Sequence, residues 1–132
     1  MKSTHFLLMA IGALALNAAA DEPKTSAQPV RTILERHDQS GVPGKEIVIG
    51  TAVLAPGASI GYHTHAGDEI GYVLKGSFVL KTRGQPDRSL KAGDSFFNPR
   101  GAVHSVTAGA EGSTGVSTWI IDKGPPLATP AP

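Results

Sequence analysis

The chain of 132 residues has no cysteine. That excludes a disulfide framework and a lipid-modified cysteine at the N-terminus, so packing alone must hold the fold. Charge is scarce as well: acidic and basic residues together make up 17% of the chain, and the formal net charge is +1. Without a basic stripe or a polybasic run, the composition speaks against nucleic acid and against an anionic membrane surface as partners. No apolar run reaches the ~20 residues needed to span a bilayer. Internal repeats are missing, and so is any long amphipathic helical stripe. No dinucleotide fingerprint occurs, and the Gly-Lys of "GVPGKE" lacks the spacing and the hydroxyl residue of a phosphate loop.

What is present starts at the N-terminus. "MKSTHFLLMAIGALALNAAA" carries a cation at Lys2, an apolar run from Phe6 to Leu16, and small residues ending in Ala18-x-Ala20. That order reads as a cleavable secretory signal over residues 1–20, which places the mature protein in the periplasm or outside the cell, free of the membrane. Removing it takes away Lys2, one of 12 basic residues, and leaves 11 against 11 acidic ones. About 112 residues remain, enough for one compact domain with one core.

Residues 21–29, "DEPKTSAQP", are polar and proline-bearing and read as a disordered leader. Residues 30–123 form the domain proper. Residues 124–132 are proline-rich, since "KGPPLATPAP" from Lys123 onward holds four of the ten prolines. Such a segment cannot be a helix or a central strand; it is a tail or a stretch draped over the surface. Between these ends the chain reads as short strands cut by glycine and proline: "EIVIGTAVL", "IGYHTH", "EIGYVL", "SFVLKT", "SL", "SFFN", "AVHSVT" and "TGVSTWIID". Lys75-Gly76 reads as a turn, "AGAEGS" as a loop, and Ile33 to His37 as the one place for a helical turn. Regular short strands with turn residues at nearly every break predict an all-β sandwich or barrel.

Alternation along a strand puts His63 and His65 on one face and Tyr62 and Thr64 on the other. "AGD" then offers a reversal that can bring Glu69 beside them, with small same-face neighbours Gly71 and Val73. Downstream, His104 follows a proline-glycine turn, flanked on its own face by Ala102 and Val106. Of the five histidines, His5 leaves with the signal and His37 sits in a polar stretch, so every other one belongs to this constellation. Three imidazoles and a carboxylate suit a divalent first-row metal such as iron, manganese, nickel, copper or zinc. A metal also removes the cost of an ionised glutamate among apolar walls. Singly, an H-x-H on a strand or a glutamate at a strand start is ordinary surface; the joint spacing carries the argument.

That spacing resembles the cupin superfamily. Gly57, His63, His65, Glu69 and Gly76 fit its first motif at every interval. Gly93, Pro99, Gly101 and His104 fit the second, whose final asparagine is here Ala108. The resemblance runs from about Glu46 to Asp122 and is strongest to small single-domain exported cupins. It implies a double-stranded β-helix, or jelly-roll barrel, often a homodimer. It also implies one divalent ion held by His63, His65, Glu69 and His104, with two further positions for water, substrate or dioxygen. The motif glycines serve turns with positive φ.

Around this site Tyr62, Phe96, Phe97, Asn98, Arg100 and Trp119 are the residues best able to shape a pocket. Only one of Phe96 and Phe97 can point inward, Trp119 reads first as core, and Arg100 near the barrel mouth is a candidate for a substrate carboxylate. "GASIG" matches a hydrolase elbow at Ser59, but a strand rather than a helix follows it. Glu69 is the one candidate proton acceptor. The resemblance therefore implies an oxygenase-like, metal-dependent enzyme acting on a small organic molecule. The alternatives are a non-catalytic metal- or ligand-binding module and a metal-dependent isomerase or decarboxylase.

Overall fold

The computed structural model describes residues 27–132. The signal sequence and most of the leader lie outside the described residues. Eight strands follow in order: β1 (Val30–Asp38), β2 (Lys45–Leu54), β3 (Ser59–Thr64), β4 (Gly67–Thr82), β5 (Arg88–Lys91), β6 (Ser95–Asn98), β7 (His104–Asp122) and β8 (Thr129–Pro130). All pairings are antiparallel. The fold is all-β, as the punctuation of the sequence predicts.

Two long strands, β4 and β7, organise the rest. Their first contact runs from Gly67↔Ile121 to Gly76↔Ser113, their second from Phe78↔Ala108 to Thr82↔His104. The C-terminal half of β7 also pairs β2, which pairs β1, while Glu69 to Tyr72 pair β6. The N-terminal half of β7 pairs β3, which pairs β8, and Ser77 to Leu80 pair β5. Each long strand thus runs through both faces of a sandwich, giving the jelly roll its order β1-β2-β7-β4-β6 on one face and β8-β3-β7-β4-β5 on the other.

This corrects three expectations. Residues 33–37 are part of β1 and not a helical turn; pairing with Ile47 to Gly50 satisfies their backbone, which no propensity could reveal. The turn at Lys75-Gly76 is a bulge inside β4, and the loop "AGAEGS" is the middle of β7. At this corner Gly76 (φ 67°) faces Gly112 (φ 75°). A β-carbon on Gly76 would stand 2.0 Å from the Gly112 carbonyl oxygen. Bulges let a strand bend without ending, so the punctuation was real but marked corners.

The interior holds three apolar clusters. Val73, Phe78, Leu80 and Leu90 fill one end, Leu54, Ala58 and Ala108 sit beside them, and Val48, Trp119 and Ile121 fill the other. Leu127, from the proline-rich segment, packs on the third. Residues 124–132 are therefore draped over the barrel. Pro130 is tolerated in β8 because that strand is an edge.

Gly76→Ala is expected to cost about 3 kcal/mol or more, since positive-φ strain adds to a backbone clash. Gly57→Ala, with φ 70° and open space around it, should cost only about 1 kcal/mol. Urea melts of the two variants measure the difference; equal midpoints would contradict the corner argument.

Candidate metal centre

Strand register brings the four candidate ligands together. His63 on β3 lies directly opposite His104 on β7. Glu69 on β4 lies between Trp119 of β7 and Asn98 of β6. His65 follows the end of β3. The two faces of the sandwich therefore each contribute. All four residues are buried, none more than 6% exposed. The ligand nitrogens of His63, His65 and His104 lie within 4.8 Å of one another. Glu69 Oε2 is 3.4 Å from His65 Nε2 and 3.3 Å from His104 Nε2.

The tautomers follow from the hydrogen bonds. His63 Nδ1 donates to the Gly61 carbonyl at 2.8 Å, His65 Nδ1 to that of Leu127 at 2.5 Å, and His104 Nδ1 to that of Ala102 at 2.9 Å. A carbonyl oxygen only accepts, so each Nδ1 carries the proton and each neutral ring offers Nε2 as a lone pair. His65 is fixed from both sides, because the Trp119 indole N–H donates to its Nε2 at 3.3 Å. The result is a cluster of acceptors, three Nε2 atoms and a carboxylate, that Trp119 and Asn98 satisfy only in part. A cation or added protons would satisfy the rest.

Electrostatics agree. Burial, assisted by the neighbouring histidines, lowers the His63 pKa to about 4 against the pull of the Gly61 carbonyl and Glu69, so at neutral pH the ring is uncharged and ready to ligate. Burial by itself pushes the Glu69 carboxyl up. Protons on His104 and His65, with the amide that Asn98 donates to Oε2 at 2.8 Å, outweigh it and hold the group well below the usual carboxylate range. Because each Nδ1 is already protonated, such a proton makes the ring a cation; a divalent ion in its place supplies the same charge. The residues present fit a metal.

A cavity of about 50 Å³ opens from His63, Glu69 and His104 between the sheets. Its walls are mainly apolar, with Leu54, Phe78, Leu80, Phe96 and Val106 among them, and Asn98 and Ser117 add polar atoms. The inward member of the phenylalanine pair is Phe96, packed edge-on against Phe78. Phe97 is 53% exposed on the opposite face and shapes no part of the cavity. Tyr62 also faces outward, under the guanidinium of Arg83, as strand alternation with His63 requires. Arg100 is bound to Asp122 at 2.5 Å on the surface, and its backbone N–H donates to Asp68, so it does not reach the cavity. Trp119 is both core and cavity wall. The basic residue at the cavity is Arg31 of β1, which sequence reasoning missed because β1 itself was missed.

Leu127 was missed for another reason. A backbone carbonyl has no residue signature, yet this one orients His65 from 62 positions away. Its side chain packs on Val48, Trp119 and Ile121, while Thr129 and Pro130 pair with Thr64 and His63. The C-terminal segment is thus part of the ligand scaffold.

The fold is thus an antiparallel jelly roll with three convergent buried imidazoles that could hold a metal ion. Residues 50–121 match the cupin domain family, more than half of the chain, and the chain belongs to that family. An oxalate-binding protein of Thermotoga maritima is 44% identical over 54 residues, 40% of this chain and 44% of that protein. Among solved structures, a cupin-like protein of Thermotoga maritima is 26% identical with a TM-score of 0.64, covering 80% of this chain and 78% of its own. The DMSP lyase DddQ of Ruegeria pomeroyi, at 20% identity and a TM-score of 0.66, covers 79% and 52% and shares the fold. The chain spans less than half the length of the oxalate-binding relative and about half that of the lyase.

Deleting Leu127 to Pro132 is expected to weaken zinc binding about 10- to 100-fold, the usual effect of losing a group that orients a ligand histidine. Competition titration against a chelating dye measures it, with circular dichroism confirming that the sheet persists. Undiminished affinity in a folded truncation would show that the Leu127 carbonyl is dispensable.

Proposed function

We propose that this protein is a metal-dependent, oxygenase-like enzyme of the periplasm, with one divalent ion held by His63, His65, His104 and Glu69. The observation that carries the reading is the acceptor-rich cluster: three Nε2 atoms turned inward, each ring fixed by an Nδ1 bond to a carbonyl, beside a buried carboxylate. When bound, the ion supplies Lewis acidity and a template for the reacting molecule. The chain's own residues do the rest. Asn98 holds Glu69 in place, Trp119 steadies His65, and the apolar walls keep bulk water from the small organic substrate. No acid or base other than these ligands lines the inner cavity, so Glu69 is the group able to accept a proton.

This reading requires dioxygen uptake by the iron-loaded protein with some member of a panel of phenols, diketones and thiols. The metal-free protein should be silent. Uptake by neither form, with product formed anaerobically, would redirect the assignment to a metal-dependent isomerase or decarboxylase. Ligand binding without turnover, a reading favoured by the oxalate-binding relative, would make it a binding module.

We further propose a homodimer. Ile70, Tyr72, Leu74 and Phe97 form an exposed apolar face on β4 and β6, with Ile70 and Phe97 directly paired. Contiguous apolar surface of this kind marks interfaces. The double variant Ile70→Glu, Phe97→Glu should convert a dimer to a monomer in light scattering; a wild-type monomer would refute the assignment.

A further inference from the structure

Arg31 is the arginine that lines the cavity. Arg36 pairs with Glu46 and Arg100 with Asp122, whereas Arg31, like the more distant Arg83 and Arg88, has no carboxylate partner among the described residues. Its backbone lies opposite Ala52, yet its guanidinium stands 5.8 Å from the ring centre of Trp119, whose own strand partner is Val48. The side chain therefore runs along the open side of the cavity toward the metal end. There it shares the indole with His65, whose ring centre is also 5.8 Å from that of Trp119. The guanidinium consequently lies within about 12 Å of the His65 ring.

Charge and shape then select a ligand. A divalent ion less the charge of Glu69 leaves one positive charge, and Arg31 adds a second at the same small cavity. Apolar walls such as Leu54, Phe78 and Val106 offer no compensation and strengthen the field between them. A guanidinium resting on an aromatic face keeps its N–H fork free for a planar carboxylate. A cavity of this size admits only a small molecule.

We propose that the cavity takes a small organic anion, with one carboxylate on Arg31 and a second oxygen directed to the ion. This rests on the metal reading above, and it makes Arg31 the residue that determines specificity. The test is calorimetry on the zinc-loaded protein with malonate and with its neutral counterpart malonamide, zinc affinity being measured separately. Arg31→Gln is expected to weaken malonate about 10- to 100-fold, to leave malonamide nearly unchanged, and not to alter zinc affinity. Arg31→Lys, which keeps the charge without the fork, should fall between. Because β1 is an exposed edge strand, these variants should fold. Malonate binding that is absent in the wild type, or indifferent to Arg31, overturns the assignment. Equal losses for malonate and malonamide overturn it too. A protein that takes up no zinc yet binds malonate through Arg31 would sink the metal reading, overturn the oxygen–ion contact, and leave Arg31 as the anion's partner.

Discussion

The structure depends on three imidazole protons being committed away from the centre of the barrel. Were any Nδ1 free, its ring could turn or change tautomer, and a buried carboxylate next to neutral rings would find its own donors. The carbonyls of Gly61, Ala102 and Leu127 remove that freedom. What faces inward is then an excess of acceptors, relieved in part by Asn98 and Trp119. An interior so arranged is costly until a cation enters it, and the fold must carry that cost through pairing and packing.

The rest of the barrel serves this constraint by rigidity. Two of the carbonyls are local, each two residues before its histidine, so the backbone that positions the ring also fixes its proton. The third is remote. Chain reversal after Asp122 returns Leu127 to the site, and its apolar packing and the β8 pairing hold the carbonyl where His65 needs it. Metal binding at this site would in this way be coupled to docking of the C-terminal segment, each stabilising the other.

Much of this was legible in the sequence, for a physical reason. A ligand set built on strands obeys a period of two and short turns, so His63, His65, Glu69 and His104 show their shared direction in their spacing. Turn glycines declare themselves as well: Gly57, Gly76, Gly93 and Gly101 all adopt positive φ. Less legible was anything decided by pairing between distant segments. β1 has no alternating burial, every position being exposed, and so left no pattern to read. The corners of β4 and β7 looked like ends because a bulge and a turn use the same residues. Phe97 and Arg100 were placed at the pocket by nearness in sequence, but a strand sends adjacent side chains to opposite faces and Asp122 holds Arg100 outside.

The missed strand matters most for chemistry. A metal site at the end of an apolar cavity specifies where a ligand reacts but hardly which ligand enters, since many oxygen donors satisfy an ion. Selection needs a second fixed point at a definite separation. Here β1 contributes nothing to the buried core and lies on the barrel's edge, yet it delivers the one cation that the cavity shares with the ligand cluster. A strand free of packing constraints can change its side chains without unfolding the barrel. The interior spacing would then define the chemistry of the ion, while an exposed edge sets the charge of what reaches it, which is how one scaffold can host unlike substrates.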